Sequence, residues 1–154
     1  MERVVAIGLT ECMPLITERL SSGQSVEFMA HGTSMKPMLH DSYVTLSPAP
    51  KRLVRGDLPL CRRGNGSFVL HRVVRVHSNG SYTLCGDNQT KLEHGFTRDD
   101  VIGIVTAFDK DGVNVAADSA EYLRYVKKRL ASRPLRRCSE LLYHLYARLK
   151  KHGG

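Results

Sequence analysis

Short runs of β-branched and aromatic residues, separated by turn residues, fill the middle of the chain from residue 25 to residue 118. Three of the separating segments are typical of hairpins: Gly64-Asn65-Gly66, Ser78-Asn79-Gly80 and Asp109 to Gly112. Successive hairpins pair their strands antiparallel. The pattern therefore predicts a mainly β fold, either a coiled antiparallel sheet or a small barrel.

Helical spacing of apolar residues appears at both ends of the chain. In the N-terminal part, Gly23 marks a stop, and Pro14 predicts that the regular helix begins near it. In the C-terminal part, Ser119 is a candidate cap for one helix, and a second helix follows the break at Ser132-Arg133-Pro134. We therefore expect three segments: an N-terminal helical segment (1–24), a β domain (25–118) and a basic amphipathic helical tail (119–154).

The apolar runs are too short for a membrane span. None of them reaches the roughly 18–20 residues that a bilayer requires. The beginning of the sequence does not resemble a secretory signal, because Glu2, Glu11 and Glu18 interrupt its apolar stretch. We therefore expect a cytoplasmic protein.

The four cysteines are widely spaced and include no Cys-x-x-Cys pair. Cys12, Cys61, Cys85 and Cys138 are therefore interpreted as reduced thiols rather than as a disulfide framework or a zinc site. The sequence predicts no metal and no cofactor.

The net charge of +8 belongs to the tail. Residues 121–154 contain ten Lys or Arg and two acidic residues, so that residues 1–120 are balanced. A neutral body argues against nucleic acid as the main ligand. The tail has three ordinary uses: it packs on the body, it lies peripherally on an anionic membrane surface, here the inner face, or it binds nucleic acid or an acidic peptide.

One set of residues suggests hydrolytic chemistry. Ser34 lies in the turn-forming stretch MAHGTSMKPML, His71 lies in a predicted strand, and Asp87 follows the next strand. A serine hydroxyl becomes a nucleophile when a neutral histidine accepts its proton, and a carboxylate orients that histidine. The residues taken alone leave another interpretation open, in which Ser34 is a turn residue before Pro37 and Asp87-Asn88 forms an Asx turn.

Five segments, in order, resemble the conserved boxes of the signal peptidase I superfamily of serine peptidases. Together with their flanking residues they span roughly Phe28 to Ala107. The order His71-Arg72-Val73 is similar to the histidine-base type of the endoplasmic reticulum and archaea, whereas bacterial signal peptidases and autoproteolytic repressor peptidases have a lysine there. The five segments are GTSMKPML, RGDLPL, VLHRVVRV, LCGDNQ and RDDVIGIV.

The resemblance implies a role for each matching residue. Ser34 would be the nucleophile and His71 the general base. Asp87 is our first choice for the orienting acid, and Glu93, which stands where the histidine type has another aspartate, is the second. The remaining expected residues belong to the oxyanion hole and the substrate-binding surface: Gly32, Thr33 and Met35.

The sequence departs from the family pattern in two further ways. Family members often carry a hydroxyl side chain at the position of Gly32. The oxyanion hole would then rest on the Ser34 backbone N–H with help from Thr33. Family signal peptidases also have a membrane anchor, and no segment of this sequence resembles one.

The expected function is a soluble serine endopeptidase that cleaves a leader or precursor peptide through an acyl-enzyme on Ser34. The alternative is a peptide-binding or regulatory module, weakly active or inactive, on the same fold. A self-cleaving repressor is disfavoured, because it would need a lysine base and a DNA-binding region larger than residues 1–24.

Overall fold

The computed structural model describes residues 8–152, with side chains to residue 150. The ends of the two predicted terminal segments, residues 1–7 and 153–154, lie outside this range. The elements are α1 (Leu9–Ser21), β1 (Val26–Ala30), β2 (Ser42–Ser47), β3 (Pro59–Arg62), β4 (Phe68–Leu70), β5 (Arg72–Val76), β6 (Tyr82–Cys85), β7 (Glu93–Phe96), a 3-10 turn (Arg98–Asp100), β8 (Val101–Lys110), β9 (Val113–Ala116), α2 (Ala120–Ala131) and α3 (Arg133–His152).

The strands form two antiparallel sheets. The larger has the order β1-β2-β8-β3-β4, with β9 paired to β8, and the smaller has the order β5-β6-β7. Strands β1 and β4 are therefore the two ends of the main path. The predicted β body with helices at both ends is confirmed at this level, and the larger sheet is curled into a half-barrel.

The three predicted hairpins are confirmed, since β3 pairs with β4, β5 with β6, and β8 with β9. One predicted strand is divided. The run FVLHRVVRV, which looks continuous in sequence, is broken at His71, where the chain leaves the larger sheet and enters the smaller. The break places His71 at the junction of the two sheets.

Helix α1 begins at Leu9, so the prediction that its regular part begins near Pro14 is wrong. An internal proline removes one helical hydrogen bond and costs about 3 kcal/mol. The helix buries Met13, Ile16 and Leu20, and burial of each such side chain contributes about 1.5–3 kcal/mol, which offsets that cost. The predicted stop is confirmed, because Gly23 has a φ of 78° and its N–H donates to Leu20 O.

The two helices of the tail differ in their packing. Helix α2 buries Tyr122 and Val126 in the core that the sheet shares with α1. Its predicted cap is confirmed, since the Ser119 side chain accepts a hydrogen bond from the Tyr122 N–H. Helix α3 instead leaves its large apolar side chains exposed. The described helices include none that is long and apolar enough to cross a bilayer.

Candidate active site

Ser34 lies in the turn between β1 and β2, and this turn is bonded to the segment that follows β6. The Ser34 carbonyl accepts a hydrogen bond of 2.8 Å from the Asn88 N–H. The Thr33 carbonyl accepts one of 3.2 Å from Asn88 Nδ2. The buried Met35 contributes a third contact, because its sulfur lies 3.4 Å from the Asp87 nitrogen that donates to it. The segment after β6 thus holds the serine turn through its backbone carbonyls and through the buried Met35 side chain.

The reactive groups of Ser34 itself are unengaged. Within residues 8–152, neither the Ser34 hydroxyl nor its backbone N–H has a hydrogen-bond partner. Its side chain is partly exposed. Both groups are therefore available to a bound molecule, the hydroxyl as a nucleophile and the N–H as a donor to a developing oxyanion.

His71 is the buried member of the site, with 4% of its surface exposed. The His71 ring and the Ser34 turn both lie close to Gly86. A Cβ atom built on Gly86 would lie 2.6 Å from Ser34 O and 3.1 Å from His71 Nε2. Both distances are shorter than ordinary contacts, so only glycine fits between the serine turn and the histidine ring. Gly86 lies in the segment LCGDNQ, and no local sequence pattern indicates this close approach.

The carboxylate beside His71 is that of Glu93. Its Oε1 lies 2.8 Å from His71 Nδ1. The oxygen lies off the line of the N–H bond, so this close polar contact is not a well-aligned hydrogen bond. Catalytic hydrogen bonds are often poorly aligned without substrate and tighten in the complex. The position expected for the orienting acid thus belongs to the second choice from sequence.

Arg63 holds Glu93 from the other side. Its Nε lies 2.6 Å from Glu93 Oε2, and its Nη2 lies 3.0 Å from Oε1. This fork-to-carboxylate pairing fixes the plane of the carboxylate. Sequence reasoning missed Arg63, because it lies 30 positions from Glu93 and only the sheet packing brings the two together.

Asp87, the first choice for the acid, has different partners. Its two oxygens accept hydrogen bonds from Arg72 Nε at 2.7 Å and from Arg72 Nη2 at 2.5 Å. The Tyr125 hydroxyl donates a third, at 2.9 Å. With 1% of its surface exposed, Arg72 also donates to Gly56 O and to the Tyr122 hydroxyl. Asp87 therefore neutralises a buried arginine, and the carboxylate that contacts His71 is that of Glu93 rather than that of Asp87, the first choice from the sequence.

Burial lowers the pKa of His71 below its usual value, and the opposing effect of nearby Glu93 does not reverse this. The hydrogen bond from Arg63 is the main cause that lowers the pKa of Glu93. At neutral pH the site therefore holds a neutral imidazole beside an ionised carboxylate. A general base must be in this neutral form to accept a proton.

Ser34, His71 and Glu93 line one cleft with a volume of about 670 Å³. Gly32 and Met35 also line it, whereas Thr33 and Asp87 do not. All three residues of β4 (Phe68–Leu70) and Ala30 at the end of β1 also line it. The remaining lining residues are His31, Leu39, Arg63, Asn65, Ser67, Gln89 and Lys91.

Gly32 has a backbone conformation that excludes the hydroxyl residue common in the family. Its φ is 116°, a value that residues with a side chain rarely adopt. Its N–H points to Asp41 Oδ1 at a distance of 3.3 Å. Gly32 therefore shapes the turn, while the free N–H of Ser34 is the donor available for an oxyanion.

The described part of the chain contains no cluster of three or more His, Cys, Asp or Glu side chains able to hold a metal ion. Buried Cys61 and Cys85 are free thiols.

The chain matches no protein-family model, no curated protein and no solved structure.

Proposed function

We propose that the protein is a serine endopeptidase of the signal peptidase type, with Ser34 as nucleophile, His71 as general base and Glu93 as the orienting acid. The observation that supports this most strongly is the meeting of the Ser34 turn and His71 Nε2 at Gly86, while Glu93 lies 2.8 Å from His71 Nδ1. A nucleophile, a base and a supporting carboxylate are the three parts that acyl transfer needs.

The proposed reaction proceeds in two steps. The Ser34 oxygen attacks the peptide carbonyl as its proton passes to His71 Nε2, and the Ser34 N–H donates to the oxyanion. The imidazolium, stabilised by Glu93, returns the proton to the leaving amine and an acyl-enzyme remains. A water molecule then gives its proton to His71 and attacks the ester, which releases the carboxylic acid product and restores the serine hydroxyl.

The proposed substrate is an extended segment of a leader or precursor peptide. Two strands at the ends of the larger sheet contribute to the same cleft: β1 through Ala30 and β4 through all three of its residues. Strand ends of a sheet carry unpaired backbone groups that bind a peptide as an additional strand. This arrangement would lay the scissile bond beside Ser34.

The test compares wild type with Ser34→Ala and His71→Ala on a pool of precursor peptides, with cleavage read by mass spectrometry. Both variants should lose roughly 10³-fold or more of the wild-type rate. Ser34→Ala should keep the thermal unfolding temperature of the wild type, because the hydroxyl has no partner in the described residues. Equal cleavage by wild type and Ser34→Ala would refute the proposal that the protein is a peptidase with Ser34 as its nucleophile.

One observation favours the second candidate, a peptide-binding module without turnover. Gly32 has no hydroxyl side chain, and its N–H donates to Asp41, so the oxyanion hole lacks the side-chain donor that the family often supplies at this position. Loss of one donor costs about 10²–10³ in rate. Such a module would bind peptides with the same affinity in wild type and Ser34→Ala and would cleave none of them.

A further inference from the structure

Helix α3 exposes a continuous apolar stripe. At 3.6 residues per turn, the stripe occupies roughly a third of the helix circumference. Each of its large side chains is at least 57% exposed. We define the stripe as Leu135, Leu142, Leu145, Tyr146 and Leu149.

The beginning of α3 is attached to the body. Arg136 Nη1 donates to Asp87 O at 2.7 Å, and Arg133 Nη2 donates to Thr90 O at 3.2 Å. Glu140 accepts a hydrogen bond from the Thr90 hydroxyl. The first two turns are thus fixed to the segment after β6, and the four stripe residues from Leu142 onward lie in the later turns.

The charge around the stripe indicates what covers it. Residues 133–152 contain six Lys or Arg and one acidic residue. A second copy of the chain would bring the same cationic excess against α3, and residues 1–120 carry no net negative charge to compensate it. A bilayer surface with anionic phospholipids accepts both features, since leucines enter the acyl boundary while cations contact the headgroups.

We propose that α3 binds the surface of an anionic phospholipid membrane, with the stripe inserted at the acyl boundary. Tyr146 supports this orientation, because a tyrosine ring places an apolar body and a polar tip at the level of the headgroups. Amphipathic helices with a cationic face and low mean hydropathy lie in the membrane plane rather than crossing it.

The test measures flotation of the full chain with phosphatidylcholine vesicles that contain or lack phosphatidylglycerol. Binding is expected with phosphatidylglycerol at low salt. It should weaken roughly tenfold or more without the anionic lipid or in about 1 M salt, where charges are screened beyond about 3 Å. Because peptidase activity is not involved, the Ser34→Ala protein should bind equally well.

Two pairs of variants test the stripe and the charges separately, and each pair includes a control substitution elsewhere on the surface. Leu142→Ser with Leu145→Ser should abolish binding, whereas Val113→Ser, at an exposed apolar position on β9, should not. Arg137→Glu with Lys150→Glu should weaken binding. The same change of net charge at the exposed Lys51 and Arg52 should have a much smaller effect. Circular dichroism checks that every variant is folded.

Three outcomes would overturn the proposal. The first is failure of the wild type to bind anionic vesicles at low salt. The second is binding that survives the change at Leu142 and Leu145. The third is a dimer in analytical ultracentrifugation that depends on the stripe and forms without vesicle binding, which would assign the stripe to a second copy of the chain.

Discussion

Glu93 and Asp87 lie near the two ends of the segment between β6 and β7, yet their carboxylates have separate partners. Glu93 is shared between Arg63 and His71, whereas Asp87 is bound to Arg72 and Tyr125. One carboxylate therefore faces the cleft and the other faces the packed interior. Substitutions that remove the charge and keep the shape should therefore lower activity at Glu93 and stability at Asp87.

We expect Glu93→Gln to lower kcat/KM by roughly 10²- to 10⁴-fold with a small change in the free energy of unfolding, since the imidazolium loses its stabilising charge. The contact with Glu93 raises the pKa of His71. Its loss should therefore move the acidic limb of the pH–rate profile to lower pH. Steady-state kinetics across pH measure both effects.

The matched control is Asp87→Asn. It leaves the buried Arg72 without its counter-charge, and a broken buried ion pair costs about 3–5 kcal/mol in unfolding free energy. Urea denaturation should therefore report a large loss for Asp87→Asn. If Asp87→Asn were as stable as wild type and Glu93→Gln fully active, the two roles assigned here would be wrong.

At the scale of single residues, the sequence could predict that Ser34 and His71 lie close together, because each stands in a segment that resembles a box of the same peptidase superfamily. It could not decide between the acids. Both lie within reach of His71 along the chain, and the choice depends on which arginine each carboxylate meets. Arg63 and Arg72 select the partners through contacts across the sheets, and no local pattern encodes such contacts.

At the scale of elements, turn chemistry made the hairpins predictable, whereas the division at His71 was not. A run such as FVLHRVVRV has the composition of one continuous strand. The division arises because β4 pairs with β3 while β5 pairs with β6 in another sheet. Packing between sheets, rather than local propensity, ends β4 and places the buried His71 in the lining of the cleft.

The segment after β6 acts as a connecting element between the serine turn and the histidine, and Gly86 is its tightest point. In Gly86→Ala the new Cβ would lie 2.6 Å from Ser34 O, so the segment must move away from the turn. Displacement of a catalytic group by about 1 Å costs roughly 10² in rate. We expect a loss of that order in kcat/KM and a lower free energy of unfolding by about 1–3 kcal/mol.

Gly64→Ala is the control for this change, because a Cβ at Gly64 meets no atom within 4 Å. It should alter the free energy of unfolding by less than about 0.5 kcal/mol and leave kcat/KM unchanged. Urea denaturation and kinetics on both variants make the comparison. Full activity in Gly86→Ala would mean that the serine turn and His71 need not be held as close as the structure places them.

At the scale of the whole molecule, the site lies where the main parts of the fold meet. His71 joins the two sheets, the serine turn leaves β1, and arginines of α2 and α3 bond to the backbone of the segment after β6. Arg129 and Arg136 both donate to Asp87 O. The first helix of the tail, for which the sequence left packing on the body as one of three uses, is therefore part of the structure around the site.

Because His71 is buried at the junction of the two sheets, protonation of its ring should affect the free energy of unfolding. The pKa of His71 is lower in the folded chain than its usual value near 6.5. As the pH falls from about 7.5 through 6.5 to the folded pKa, the unfolded chain takes up a proton that the folded chain does not. The free energy of unfolding should therefore decrease over this window. It should decrease again below pH 4.5, as Glu93 with its lowered pKa is protonated.

Urea denaturation from pH 7.5 to pH 5.5 tests the first window by comparing wild type with His71→Gln. The glutamine cannot titrate, so the variant should lose free energy of unfolding less steeply than wild type as the pH falls, whatever its absolute stability. His144→Gln, at an exposed position on α3, removes one histidine without disturbing the junction and should keep the wild-type slope. Parallel curves for wild type and His71→Gln would contradict a buried neutral imidazole at the sheet junction.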